Sequence, residues 1–210
     1  MDKEQRVKLI RRLEKELNYK RFIHTLGVAG TAAALAMRCG ADMEKAELAG
    51  LLHDCAKCMS PEKMRTICIE ARMPLSEPER NNPALLHSKA GRVLARMEYG
   101  VEDEEILNAI AWHTTGRPAM TLLEKIIFIA DYIEPGRNAA QRLPEIRSAA
   151  FRDPDEALIM ILSDTLRYLR VSGAAVDSMT QKTYDYYRSR VHAAAPYRTD
   201  GSAPEREENI

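Results

Sequence analysis

The adjacent pair His53-Asp54 stands at the end of an apolar run, Leu48 to Leu52, with Lys57 one helical turn further on. Neighbouring residues on a helix point about 100° apart, so the imidazole and the carboxylate can enter one pocket. There the imidazole could hold a metal ion, and the carboxylate could hold the same ion or bridge to a second. A lone His-Asp pair carries little information. In this chain, four of the five histidines (His24, His53, His87 and His113) recur roughly one helix-loop-helix unit apart, each at or near the end of an apolar stretch. Asp131 closes another such stretch, Lys125 to Ala130. Any one of these histidines alone is more often a core or helix-capping residue with a hydrogen-bond partner; the ordered set, with two aspartates, reads as a ligand inventory. Histidine with carboxylate suits borderline divalent metals such as iron, zinc, manganese or cobalt, and does not suit calcium, which prefers oxygen ligands. His192, on a charged C-terminal segment, lacks such company and reads as a surface residue.

The elements that must position these groups read as helices. Nearly every segment shows helical period and almost none the alternation of a strand. An N-terminal helix from about Asp2 to Leu17 carries Val7, Ile10, Leu13 and Leu17 on one stripe, as a lid packed on the core. The second, from about Lys20 to Cys39, ends at Gly40, a suitable C-terminal residue, and carries Arg21 and His24 one turn apart. Its alanine-rich run Ala32 to Ala36 suits close helix packing. Asp42 can cap the helix that ends in His53-Asp54. Ser60-Pro61-Glu62 opens another helix, and Ser76 with Glu79 forms a capping box in a loop-rich connection marked by Pro74, Pro78 and Pro83. Helices are expected from Leu85 to Met97, from about Asp103 to Trp112-His113, and from the Thr121/Glu124 capping box through Asp131 to just before Pro135. A short helix starts near Pro144, a long one runs from Asp153-Pro154 to Leu169, and the last spans about Asp177 to Ala195. Tyr184, Tyr186 and Tyr187 sit at helical spacing and read as packing residues rather than a base platform. Pro196 to Ile210 is polar and expected to be disordered. The fold class is all-α: one helical domain over 1–195 with a tail.

Composition narrows the function classes. Lys and Arg together number 31, as do Asp and Glu, so no global positive field favours nucleic acid. No apolar run is judged to reach the ~20 residues that span a bilayer, and the N-terminus is charged, unlike a signal peptide; the expectation is a cytoplasmic protein without membrane or nucleic-acid partners. Cys55 and Cys58 have the spacing of a zinc or redox motif, but no second pair accompanies them. With Cys39 and Cys68 they read as structural or incidental thiols, Cys55 carrying an oxidation liability beside His53-Asp54.

The ordered set His24, His53-Asp54, His87, His113, Asp131 resembles the HD-domain superfamily of metal-dependent phosphohydrolases. The flanking blocks narrow this: Arg21-Phe-Ile-His24, Leu51-Leu-His-Asp-Cys-Ala-Lys57, Leu86-His-Ser-Lys-Ala-Gly91, Ala111-Trp-His-Thr-Thr-Gly116 and Asp131-Tyr-Ile-Glu-Pro-Gly-Arg137. They are similar to the YqeK-like branch of symmetrical bis(nucleosyl)-tetraphosphate hydrolases, with a motif core over about 21–137. The resemblance implies an HD-type helical bundle holding two metal ions, with iron as the family's metal. It implies that His24, His53, Asp54 and Asp131 hold one ion, that Asp54 bridges, and that His87 and His113 complete the second. His53, Asp54 and Lys57 would then be catalytic. Arg21, Lys57 and Arg137 would contact phosphate, with His24, His87 and Asp131 facing the substrate. Arg142 is a weaker phosphate candidate. Thr114 could donate to a phosphate oxygen or cap its helix. The implied reaction is cleavage of diadenosine tetraphosphate to two ADP. Two alternatives stand beside it: an HD phosphohydrolase acting on a mononucleotide or an alarmone, and a non-catalytic nucleotide-binding module. A homodimer is a candidate assembly.

Overall fold

A computed structural model describes residues 1–82, 85–140 and 142–194, with side chains to residue 190. Pro83, the side chain of His192 and the expected tail 196–210 lie outside the described residues. Eleven helices follow in order among those residues: α1 (Lys3–Glu16), α2 (Tyr19–Cys39), α3 (Met43–Leu52), α4 (Pro61–Glu70), α5 (Glu77–Asn81), α6 (Leu86–Met97), α7 (Glu104–Trp112), α8 (Leu122–Ile133), α9 (Leu143–Arg152), α10 (Pro154–Val171) and α11 (Ser178–Ala194). None of the described residues forms a strand.

The boundaries follow from capping chemistry. Asp42, Ser60, Asp103 and Asp153 each accept from backbone N–H groups of the turn they open, satisfying donors that have no intrahelical partner. Ser76 with Glu79, and Thr121 with Glu124, form complete capping boxes; the first starts the short α5 inside the loop-rich connection. Asn18 caps α2 through the N–H of Arg21, which fixes where the helix bearing His24 begins. Gly40 ends it in the left-handed region at φ 71°, where a side chain is disfavoured.

Helix α2 lies at the centre, against α3 and α8. Val28, Ala29, Ala32, Leu35 and Ala36 are buried on it, facing a core that includes Ala46, Ala49, Leu51 and Leu52 of α3 and Ile126, Ile127 and Ile129 of α8. Small residues let α2 and α3 approach closely. A Cβ added to Gly50 would come within 2.7 Å of the Ala29 Cα. By length and mean hydropathy of 1.3, α2 does reach the range of a bilayer span, contrary to the reading of the sequence. Its buried face, Val28, Ala29, Ala32, Leu35 and Ala36, packs against other helices, while Ile23 and Met37 are exposed.

At the N-terminus, α1 buries Leu13 and Leu17 but leaves Val7 exposed, so the expected stripe packs at its C-terminal half. Arg6 pairs with Glu47 and Arg12 donates to the Glu98 carbonyl. On α11, Tyr187 is buried and its hydroxyl accepts from the Met120 N–H, the packing role expected for that cluster.

Candidate metal centre

Five helices deliver ligand-type side chains to one place: His24 from α2, His53 and Asp54 from the end of α3, His87 from α6, His113 from the end of α7, and Asp131 from α8. Helices α3 and α7 use the same device. Each terminates on its histidine, whose Nδ1 lies 2.7 Å from the carbonyl three residues back, Gly50 for His53 and Ile110 for His113. Such carbonyls in the last turn have no intrahelical N–H to accept from. The contact makes Nδ1 the donor, so Nε2 turns its lone pair into the cluster.

The inward-facing atoms crowd together. His24 Nε2 is 3.0 Å from Asp131 Oδ1 and 3.3 Å from His53 Nε2. His87 Nε2 is 3.0 Å from His113 Nε2. Asp54 lies between the two sets: Oδ2 is 3.3 Å from His53 Nε2, and Oδ1 is 3.3 Å from His87 Nε2 and 3.7 Å from His113 Nε2. Two groupings, His24 with His53 and Asp131, and His53 with Asp54 and His113, bring ligand atoms within 4.8 Å of one another and could each hold a metal ion. Asp54 Oδ1 is buried with no hydrogen-bond partner. A buried carboxylate oxygen without a donor is costly, and converging imidazole lone pairs repel unless a cation lies among them. The donor set therefore fits a divalent transition metal.

The two histidines that end α3 and α7 go opposite ways: burial acts to lower His53, but the carboxylates of Asp54 and Asp131 outweigh it and raise it. Burial pushes the His113 imidazolium down to about 4, with the charge of His53 adding to the effect, so at neutral pH its ring offers a lone pair. Burial acts to raise Asp54, but His53, His87 and His113 outweigh it and hold the carboxyl well below its usual range. The same contest holds Asp131 low, through its hydrogen bond with His24 and the charges of His53 and His113.

Three cationic side chains border the cluster. Arg21 Nη1 donates to Asp54 Oδ2 at 2.5 Å. Arg137 donates to the Asp131 carboxylate at 2.8 Å and to its carbonyl at 3.0 Å. Lys57 Nζ lies 3.1 Å from His87 Nδ1, and burial lowers its pKa. Thr114 Oγ1 is 3.2 Å from His87 Nε2. Arg142 is held elsewhere, donating to the Asp164 carboxylate at 2.7 Å and to the Met160 carbonyl; no hydrogen bond or ion pair among the described residues ties it to the cluster. Cys55 is buried, its thiol donates toward the Gly91 carbonyl, and burial pushes it up to about 12. That corrects its expected oxidation liability, since the reactive species is the thiolate.

One residue at the site received no role from the sequence. Glu134, in the turn after α8, places Oε1 3.1 Å from His24 Nδ1. The available signal was its position three residues past Asp131, on the same helical face.

A family model described as HD domain matches residues 21–136, the stretch that contains all six ligand-type residues. The chain is 44% identical to the symmetrical bis(5'-nucleosyl)-tetraphosphatase of Bacillus subtilis, over 83% of this chain and 92% of that protein. It is 39% identical to the protein of the same name from Staphylococcus aureus, over 84% of this chain and 92% of that one. A crystal structure of an HD superfamily hydrolase from Clostridium acetobutylicum, described as involved in NAD metabolism, superposes with a TM-score of 0.84 at 45% identity, covering 87% of this chain and 96% of the other. The scaffold and its histidine-aspartate cluster thus define a helical HD domain. The chain belongs to the HD-domain family and, within it, to the symmetrical bis(5'-nucleosyl)-tetraphosphatases.

Proposed function

We propose that this protein hydrolyses diadenosine tetraphosphate, and related dinucleoside tetraphosphates, at the central bridge to give two nucleoside diphosphates. The observation that carries the reading is Asp54, a buried carboxylate with one oxygen toward His53 and the other toward His87 and His113. It stands in a chain that covers nearly the whole length of relatives named for that reaction. A bridging acid has no purpose in a module that only binds nucleotide.

His24, His53, Asp54 and Asp131 would hold one metal ion, and His87 and His113 would hold a second with Asp54 shared. Iron is the proposed metal. Bound divalent ions supply Lewis-acid polarisation of the attacked phosphoryl group and lower the pKa of bound water. The chain's own residues do the rest. Lys57 and Arg137 would donate to phosphate oxygens on either side of the cleaved bond, and Arg21 would reach a phosphate from α2. Thr114 offers a hydroxyl donor beside His87. Burial of His53, Asp54 and His113 lowers the local dielectric at the cluster, which strengthens polar contacts made there. Seating one nucleoside with two phosphates as a unit leaves the other nucleoside diphosphate as leaving group. A cytoplasmic location goes with a nucleotide substrate and with four unpaired cysteines.

The test is product identification by chromatography on metal-reconstituted protein. Diadenosine tetraphosphate should give ADP alone, and heavy oxygen from labelled water should enter one of each two ADP molecules. ATP with AMP as initial products would refute the symmetrical cut. Rapid hydrolysis of a mononucleotide with no turnover of dinucleotides would assign another substrate.

A further inference from the structure

We propose that Glu134 is a positioning residue that fixes the tautomer of His24, and that Gly27 and Gly136 are glycines because its carboxylate fills their side-chain space. The inference rests on the metal-binding part of the function proposed above and not on the identity of the substrate. His53 and His113 have Nδ1 tied to carbonyls of their own helices. His24 lies within α2, where the carbonyls of the preceding turn are engaged by the helix itself. Its Nδ1 needs an acceptor from elsewhere, and Glu134 Oε1 stands 3.1 Å away. With Nδ1–H donating to Glu134, Nε2, which faces Asp131 Oδ1 at 3.0 Å, is the nitrogen left to a metal that would lie between Asp131 and His53. Orientation of a ligand histidine by a carboxylate on its other nitrogen also raises its basicity.

The site is built around the carboxylate. Glu134 is only 4% exposed. Its Oε2 accepts from the Gly136 N–H at 2.5 Å. A Cβ on Gly27 would fall 2.5 Å from Oε2, and one on Gly136 would fall 3.0 Å from both oxygens. The turn is secured from α9: Arg147 donates to the carbonyls of Ile133, Glu134 and Arg137, placing a cation at the C-terminal end of α8. Both oxygens of Glu134 thus face N–H donors. A glutamine offers one acceptor oxygen and one NH2 group, so it cannot satisfy both. If its oxygen serves Gly136, its NH2 faces His24 Nδ1 and drives the proton to Nε2, the atom a metal needs.

The experiment uses full-length Glu134→Gln, Gly27→Ala and Gly30→Ala, with zinc as the probe metal. Gly30 lies one turn beyond Gly27 and a Cβ there meets nothing within 4 Å. The expected result is zinc affinity lowered about 10–100-fold in Glu134→Gln, lowered also in Gly27→Ala, and unchanged in Gly30→Ala. Nitrogen NMR of the zinc-loaded proteins should show His24 protonated on Nδ1 with Nε2 on the metal in the wild type, and that signature should be lost in Glu134→Gln. Zinc affinity in Glu134→Gln within about twofold of wild type, against the roughly 10–100-fold loss expected, would overturn the proposal. So would a lowered melting temperature with an unchanged His24 tautomer, since that would make Glu134 merely structural. These readouts need no substrate, so a wrong product assignment would leave them standing, and their failure would leave the product assay untouched.

Discussion

Replacing Gly50 by alanine tests whether the spacing of α2 and α3 sets both stability and metal binding. The new Cβ would lie 2.7 Å from Ala29 Cα, 3.1 Å from Ala29 N and 3.4 Å from the Val28 carbonyl carbon. All three are backbone atoms, so no rotamer change relieves the overlap. Carbon atoms pack best at about 3.5–4.0 Å, which requires the helices to part by roughly 1 Å. Overpacking of this kind costs about 1–3 kcal/mol, and a clash with backbone belongs at the upper end. Alanine recovers about 1 kcal/mol over glycine in a helix interior. The net is a loss of about 2 kcal/mol, or a melting temperature lower by roughly 4–8 °C in a domain of this size. The same shift separates His24 on α2 from His53 and Asp54 on α3. Ligand distances in metal sites tolerate only about 0.2 Å, so zinc affinity should fall as well. Gly30→Ala is the control: it makes the same propensity change into open space and should stabilise by about 1 kcal/mol. Calorimetry of the chelated proteins and zinc titration provide the two readouts. A Gly50→Ala protein as stable as Gly30→Ala, with wild-type zinc affinity, would refute the close-approach argument.

Lys57→Ala should retain metal but lower kcat/KM by roughly 30–150-fold, the loss of a charge-assisted phosphate contact at about 2–3 kcal/mol; unchanged kinetics with bound metal would make Lys57 a mere neighbour of His87. Thiol labelling of the folded protein followed by mass spectrometry should find Cys58 modified first, because it is exposed. Cys55, with its pKa pushed up to about 12 by burial, and the buried Cys68 should react only on unfolding, and early labelling of Cys55 would contradict its burial.

The helices were legible because their ends are written in short-range chemistry. Asp42, Ser60, Asp103, Thr121 and Asp153 each cap the helix that periodicity suggests, and Gly40 ends α2 in a conformation that favours glycine. Membership of the cluster was legible too, since histidines at the ends of apolar helices converge when those helices pack. What escaped was whatever depends on distance across the fold. Glu134 reads in the chain as an ordinary acid before a Pro-Gly turn, and only the packing of α8 on α2 shows what it faces. Gly50 drew no reading of its own in the chain, and its role shows only with Ala29 against it. Arg142 reads as the weaker phosphate candidate beside Arg137, and the reason is the packing of α10, which supplies Asp164 to Arg142 while Arg137 stays on Asp131. The Cys55 thiol next to two ligand residues suggested reactivity, but adjacent residues on a helical turn point apart, and this one points into the core.

The charges around the cluster explain why metal and phosphate belong to one reading. Three acids, Asp54, Asp131 and Glu134, lie within contact of three cations or imidazoles that bind them: Arg21 on Asp54, Arg137 on Asp131 and His24 on Glu134. Lys57 adds one further positive charge near His87. With imidazoles neutral, as metal ligation requires, the three acids and the bases Arg21, Lys57 and Arg137 cancel, and Arg147 beside the Glu134 turn adds one positive charge at the edge. A tetraphosphate bridge carries about one negative charge per phosphate, and a site whose acids and bases nearly balance offers it little attraction. Two divalent ions would bring about four positive charges, matching that chain. They would also take over Asp54 and Asp131, which frees Arg21 and Arg137 to turn from carboxylate to phosphate without leaving a buried acid unpaired. On the proposed reading, then, the metals do more than activate water. Their binding would leave Arg21 and Arg137 available to hold the substrate's phosphates.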